Sequence, residues 1–227
     1  MSVSNTPFVD SLLDAALTHV VFHGWSEKSF QAAVEDAGVD ATLAKSACPR
    51  GAVDLAKAFH RRNDIALAEE LKAADLSEMR FRDRVAHSVW RRLELVAPHK
   101  EAVRRAAGLF SLPQYAPEGA KLIWSTADVI WASLGDTSAD YNWYSKRATL
   151  SGVYAASVLY WLGDESDGYE DTRTFIDRRI DDVMQIEKAK ANAKETPGLS
   201  ALAGATEWAL SWVKPPNSEK RSGYPGQ

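Results

Sequence analysis

Glycine and proline are scarce in this chain and sit between apolar-periodic segments: 13 Gly and 9 Pro against 35 Ala in 227 residues. Long stretches of good helix formers with breakers mostly near their ends leave little room for strands, so an all-α protein is expected. Punctuation then places about ten helices. The first, about 9–24, repeats Leu13, Leu17, Val20 and Val21 and breaks at Gly24. Ser26 can cap a second helix to Ala37, with Gly38 supplying the turn, and Asp40 a short third one ending at Pro49. A fourth covers 52–73, and Ser77 can cap a fifth bearing Phe81, Val85, Val89, Leu93 and Val96 on one stripe. Pro98 and Pro117 suit the first turns of helices to about 110 and 134, the latter stopped by Gly135. Capping-box spacings at Thr137/Asp140 and Asp167/Glu170 open an eighth helix to Leu162 and a ninth to about 189. A charged, Ala-rich run with Pro197-Gly198, 188–198, reads as a tether before a last helix at 199–213 and a disordered tail at 214–227.

Several chemistries lack an anchor. The single cysteine, Cys48, excludes an internal disulfide and a zinc knuckle, and reads as a small apolar filler. His19 and His23 have metal-ligand spacing without a matching third ligand, and the acidic run 164–171 lacks the alternation of a calcium loop. With no phosphate-binding loop, dinucleotide fingerprint or nucleophile elbow, no catalytic residue, metal or cofactor is expected. The first 27 residues hold no Lys or Arg, unlike a secretory or transit leader, and the longest nearly uncharged run, 148–163, is too short to span a bilayer. That run is expected to be a buried or lipid-facing helix.

The stretch 25–59, WSEKSFQAAVEDAGVDATLAKSACPRGAVDLAKAF, resembles the helix-turn-helix region of TetR-type regulators in its A-G-V turn, short third helix, proline and following amphipathic helix. The resemblance implies a TetR-family-like helical bundle with a helix-turn-helix-like N-terminal subdomain, 1–50. Its charge does not suit an operator. Residues 1–59 carry four cations (Lys28, Lys45, Arg50, Lys57) against seven carboxylates, and the would-be recognition helix has Lys45 alone, where useful DNA binding neutralises about 6 to 10 phosphates. No nucleic-acid partner is expected, and a ligand-responsive transcriptional regulator is the alternative reading.

Six of the eight tryptophans lie at 124 or beyond, with Tyr141, Tyr144, Tyr154 and Tyr160 among them. Some serve the core, and so many amphipathic rings also suit a ligand pocket or interface. Within this region GDTSADYNWYSKRATLSGVY and DGYEDTRTFIDRRIDDVM, with MRFRDRV at 79–85, closely resemble the ninth of the coenzyme Q biosynthesis proteins. The resemblance implies a non-enzymatic, TetR-like homodimer that has given up DNA. It would bind a phospholipid or isoprenoid quinone intermediate in a helical domain, 51–187, and assist the di-iron hydroxylase acting on demethoxyubiquinone. It also implies a partner-binding patch at Asp128, Ile130, Asp140, Trp143 and Tyr144, an aromatic pair flanked by carboxylates at a helix start; the competing reading buries Trp143. Lipid lining is expected at Leu109, Phe110, Leu122, Ile123, Tyr154 and Leu159, and a dimer contact on the eighth and ninth helices at Ile176, Ile180 and Val183.

In the last helix, Leu199, Leu202, Leu210 and Val213 share one side, Trp208 and Trp212 extend it, and Ser200, Gly204, Glu207 and Ser211 share a narrow opposite arc. Burying six large side chains contributes at most about 9 to 18 kcal/mol, and ordering 15 residues at about 1 to 2 kcal/mol each cancels most of it. The helix is therefore expected to bind reversibly, to a bilayer surface, to another chain's groove or to its own core. The family resemblance favours the membrane. The expected location is cytoplasmic and peripheral on the inner membrane, or on the matrix side if eukaryotic.

Overall fold

The computed structural model describes residues 7–138 and 141–195, with side chains to 185; the expected helix at 199–213 and the tail lie outside the described residues. These hold nine α-helices: α1 (Pro7–His23), α2 (Glu27–Asp36), α3 (Ala41–Ala47), α4 (Ala52–Ala73), α5 (Phe81–Val96), α6 (Lys100–Phe110), α7 (Ala116–Ser133), α8 (Tyr141–Gly163) and α9 (Glu170–Glu195). No strand occurs among them, and the chain is all-α as its composition requires.

Two compact units share the chain, Met1–Leu67 with Arg92–Ser125 and Ala68–Arg91 with Thr126–Gln227. In the first, the α1 stripe of Leu12, Leu13, Leu17 and Val20 is buried, and α1 packs on α2 and α6. Ser26 and Ser29 form the capping box of α2, Gly38 takes φ +62° in the following turn, and the Asp40 carboxylate accepts from Leu43 N at 2.9 Å to cap α3. The buried Arg92 donates to Asp64 at 2.8 Å and to the His60 carbonyl at 3.1 Å. The Leu122 carbonyl lies 3.0 Å from His60 Nε2 and can only accept, so that nitrogen carries the proton. Burial pushes the His60 pKa down to about 4, with the nearby Arg92 charge acting the same way. His60 is neutral at pH 7.

In the second unit α8 packs on α9, burying Leu150, Val153, Tyr154, Trp161, Ile176 and Ile180. The buried Asp164, just beyond α8, accepts from Ser166 N at 2.8 Å and, eight residues on, from Thr172 N at 2.9 Å. Its carboxylate therefore ties α8 to the first turn of α9. Gly168 and Tyr169 between them are both left-handed (φ +58° and +57°). A left-handed non-glycine costs about 1 to 2 kcal/mol, offset here by Tyr169 packing edge-on against Trp161 at 5.9 Å.

Four boundaries differ from expectation. Pro98 lies in a 3₁₀ turn, Ala97–His99, and α6 starts only at Lys100. Ser77 does not cap α5: its N–H donates to Asp75 in a two-residue turn, and the helix starts at Phe81. The Asp167/Glu170 spacing encloses a short 3₁₀ turn, Asp167–Tyr169, with Asp164 as the anchor instead. Finally, α9 runs to Glu195 through most of the expected tether, because a Lys- and Ala-rich run has high helix propensity.

Candidate functional site

A groove of about 240 Å³ opens in the second unit, walled by α5, α7, α8 and α9. Phe81, Val85, Trp131, Leu150, Val153, Ile180, Val183 and Met184 make it apolar, and Asn142, Ser145 and Thr149 add uncharged polar groups from one row of α8. The row arises from helix periodicity: positions 142, 145/146, 149 and 153 fall three or four residues apart on one face. Two cations reach the groove, and both are compensated. Arg82 meets Asp83 at 2.8 Å and Asp181 at 2.9 Å, and Lys146 meets Asp136 at 2.9 Å. Phe81 remains 46% exposed, so the groove is open on its α5 side. At about 240 Å³ it falls short of the ~300–1,000 Å³ typical of pockets for drug-sized ligands. It can hold a ring or a short length of chain.

Around the start of α8 lies a polar network. The Trp131 indole N–H donates to the Lys146 carbonyl at 3.2 Å, and Lys146 Nζ sits 5.3 Å above the Trp131 ring. Arg147, 3% exposed, donates to Asp128 at 2.5 Å, to Asp136 at 2.9 Å and to the Trp143 carbonyl at 3.2 Å. Its guanidinium lies 4.1 Å from the Trp143 ring centroid, and Trp143 meets Tyr144 edge-on at 4.7 Å. Burial works to raise the Asp136 pKa, but hydrogen bonds from Arg147, Lys146 and Ser138 outweigh it and hold the carboxyl well below the usual range.

Residues 116–187 match the family model described as COQ9. That segment is similar in sequence to the COQ9 family. Among curated proteins, the chain is 32% identical to "Ubiquinone biosynthesis protein COQ9, mitochondrial" of Rattus norvegicus over 191 residues, covering 82% of this chain and 61% of that protein. It is 30% identical to the Homo sapiens protein of the same name, covering 82% and 60%. The chain thus spans about three-fifths of the length of these relatives. Among solved structures, the TetR transcriptional regulator from Nitrosomonas europaea ATCC 19718 superposes with a TM-score of 0.64 at 17% identity, over 77% of this chain and 97% of that one. The fold is TetR-like. The COQ9 segment contains the polar network and all the groove lining except Phe81, Arg82 and Val85.

Around the α8 start of the COQ9 segment, the structure brings together Asp128, Trp143 and Tyr144 through Arg147. Ile130 is fully buried and Trp143 is 4% exposed, so neither side chain is presented at the surface; Tyr144 is half-buried, and Asp140 lies outside the described residues. The expected lipid-lining residues are divided between the two units. Leu109, Phe110, Leu122 and Ile123 fall in the first unit, while Tyr154 and Leu159 fall in the second. Tyr154 is buried, Leu159 is 66% exposed, and none of the six lines the groove. The stripe expected at a dimer contact is largely spent within one chain: Ile176 and Ile180 are buried, and Ile180 and Val183 line the groove. The outward face of α8 carries Ala148, Gly152 and Leu159 instead. The membrane-binding positions Leu199, Leu202, Trp208, Leu210, Trp212 and Val213 lie outside the described residues. No described helix is long and apolar enough to cross a membrane.

Phe81, Val85, Ile180 and Val183 stand out in the sequence as apolar stripe residues with nothing to assign them to a cavity, and Trp131, Asn142, Ser145, Lys146, Thr149 and Met184 carry no individual signal there. The signal available was the α8 row, whose polar-to-apolar gradient is hidden in a helix read only for its apolar run.

Proposed function

We propose that this chain is a non-catalytic accessory protein of ubiquinone biosynthesis that holds part of an apolar lipid in the second-unit groove and presents it to the di-iron demethoxyubiquinone hydroxylase. The observation that carries this reading is an apolar groove with compensated charges, most of whose lining lies within the segment that matches COQ9. The physical need is solubility. A polyprenyl intermediate is confined to the bilayer, so its carrier requires an apolar recess for part of the molecule and a foothold at the membrane. The segment 199–213, with its wide apolar face and flanking lysines, serves as that foothold in this reading, and the working species is a homodimer on the membrane surface. The charge of the N-terminal unit supports a role away from DNA: Lys45, the one cation on α3, lies 3.6 Å from Glu27, and the recess between α2 and α3 is edged by Glu27 and Glu35.

The partner face in this reading centres on the aromatic pair Trp143–Tyr144. Because Trp143 is a core residue, Tyr144→Ala is the cleaner variant. It is expected to lower co-purification of the hydroxylase at least tenfold while leaving the far-UV spectrum unchanged. Undiminished co-purification would reject the face.

A further inference from the structure

One carboxylate is divided between the two faces of α8. Asp136 Oδ1 accepts from Lys146 Nζ at 2.9 Å, and Asp136 Oδ2 accepts from Arg147 Nη1 at 2.9 Å. The two cations are adjacent in sequence, so they leave the helix about 100° apart. Lys146 lines the groove, and Arg147 turns inward to Asp128 and the Trp143 ring. The Asp136 side chain is only 2% exposed, so water does little to screen the arrangement, and each charge-assisted hydrogen bond depends on the other. Lys146 also has a second partner in Ser138 Oγ at 2.7 Å and is itself 39% exposed; it is the solvent-accessible member of the trio. Arg147, at 3% exposure and stacked on Trp143, is the fixed one.

We infer that Asp136 is a positioning residue that couples the groove to the Trp143–Tyr144 pair: a hydrogen-bond acceptor on a groove ligand competes with Asp136 for Lys146, and Arg147 relays the change to Trp143. The inference rests on the groove taking a ligand, the reading proposed above. Once Lys146 swings to the ligand, Asp136 keeps the Ser138 donors on Oδ1 and has Arg147 as its remaining cation, and the guanidinium shifts over the indole it covers. A ligand that fills the groove without offering an acceptor leaves the division of Asp136 undisturbed. The coupling is reciprocal, as any linkage between two binding events must be: a partner seated on the aromatic pair changes groove affinity by the same factor. The ligand class that engages the device is an apolar molecule with an acceptor at one end, as opposed to a plain hydrocarbon.

The full chain labelled with 5-fluorotryptophan tests this by fluorine NMR, with Trp131→Phe and Trp143→Phe assigning the two signals. The probes are a short-chain alkylated benzoquinone and the alkane of matching length. Both probes are expected to shift the Trp131 signal, and only the quinone the Trp143 signal. Asp136→Asn is expected to abolish the Trp143 response while the Trp131 response persists. Lys146→Met, which leaves the Asp136–Arg147 pair in place and guards against misfolding of the first variant, is expected to do the same. An equal Trp143 shift with the alkane, or an undiminished Trp143 shift in either variant, overturns the coupling while leaving the groove reading intact. A Trp131 signal that neither probe moves overturns the groove reading and the coupling with it.

Discussion

Arg147 and His60 show two ways a helical interior handles a titratable side chain. Arg147 is paired on two sides, so its removal takes the guanidinium from the half-buried Asp128 and leaves the buried Asp136 carboxylate with Lys146 on one oxygen. Breaking one side of such a cluster costs about 3 to 5 kcal/mol. Arg147→Met is therefore expected to lose about that much in urea unfolding monitored by tryptophan fluorescence, and a loss below about 1 kcal/mol would show that the network is not structural. His60 is buried neutral. Its unfolded pKa is about 6.5, and burial depresses the folded value to about 4. Between these values the unfolded chain binds the proton and the folded chain does not. The stability linked to His60 is therefore complete above about pH 6.5 and is lost as pH falls toward 4. Thermal melts across that window are expected to show a falling Tm in the wild type and a flatter profile in His60→Gln. Parallel profiles would contradict the assignment. Neither environment is fully written in the residue's neighbours along the chain: Trp143 and Asp64 sit one turn away on the same helices, but Asp128 and Asp136 for Arg147, and Arg92 and Leu122 for His60, come from other segments.

Helix ends show where local chemistry suffices and where it fails. Ser26, Asp40 and Gly38 act within a few residues, so the α2 and α3 boundaries were legible from spacing alone. Ser77 offered the same signal, yet Asp75 two residues earlier captured its N–H. The start of α9 was misread for a related reason. Asp164 reaches eight residues forward to Thr172, beyond any capping pattern, and it can do so only because Gly168 and Tyr169 reverse the chain between them. Burial opposes its ionisation, but the hydrogen bonds from Ser166 and Thr172 prevail and bring its pKa down to about 2. Asp164→Ala should behave like the loss of a strong N-cap, about 1 to 2 kcal/mol, with faster amide exchange at Thr172 and in the first turn of α9. Unchanged protection there would place the anchor elsewhere.

For the whole molecule, fold and family were more legible than the site. Alanine-rich stretches bounded by Gly and Pro made the all-α architecture almost unavoidable, and the motif runs at 135–154 and 167–184 carried the family. Cavity lining depends on which face of each helix turns inward and how far neighbouring helices stand apart, neither of which periodicity settles. Thus Tyr154, one residue beyond Val153, faces the core instead of the groove, and Leu159 faces outward. The central claim is that the groove holds lipid, and native mass spectrometry of the gently purified chain addresses it most directly. The wild type should carry a noncovalent adduct of lipid mass. Thr149→Trp, which places an indole from the exposed edge of α8 into the groove without disturbing a core residue, should lose most of that adduct while keeping its helical spectrum. An adduct equally abundant in both proteins, or absent from the wild type, would contradict the account.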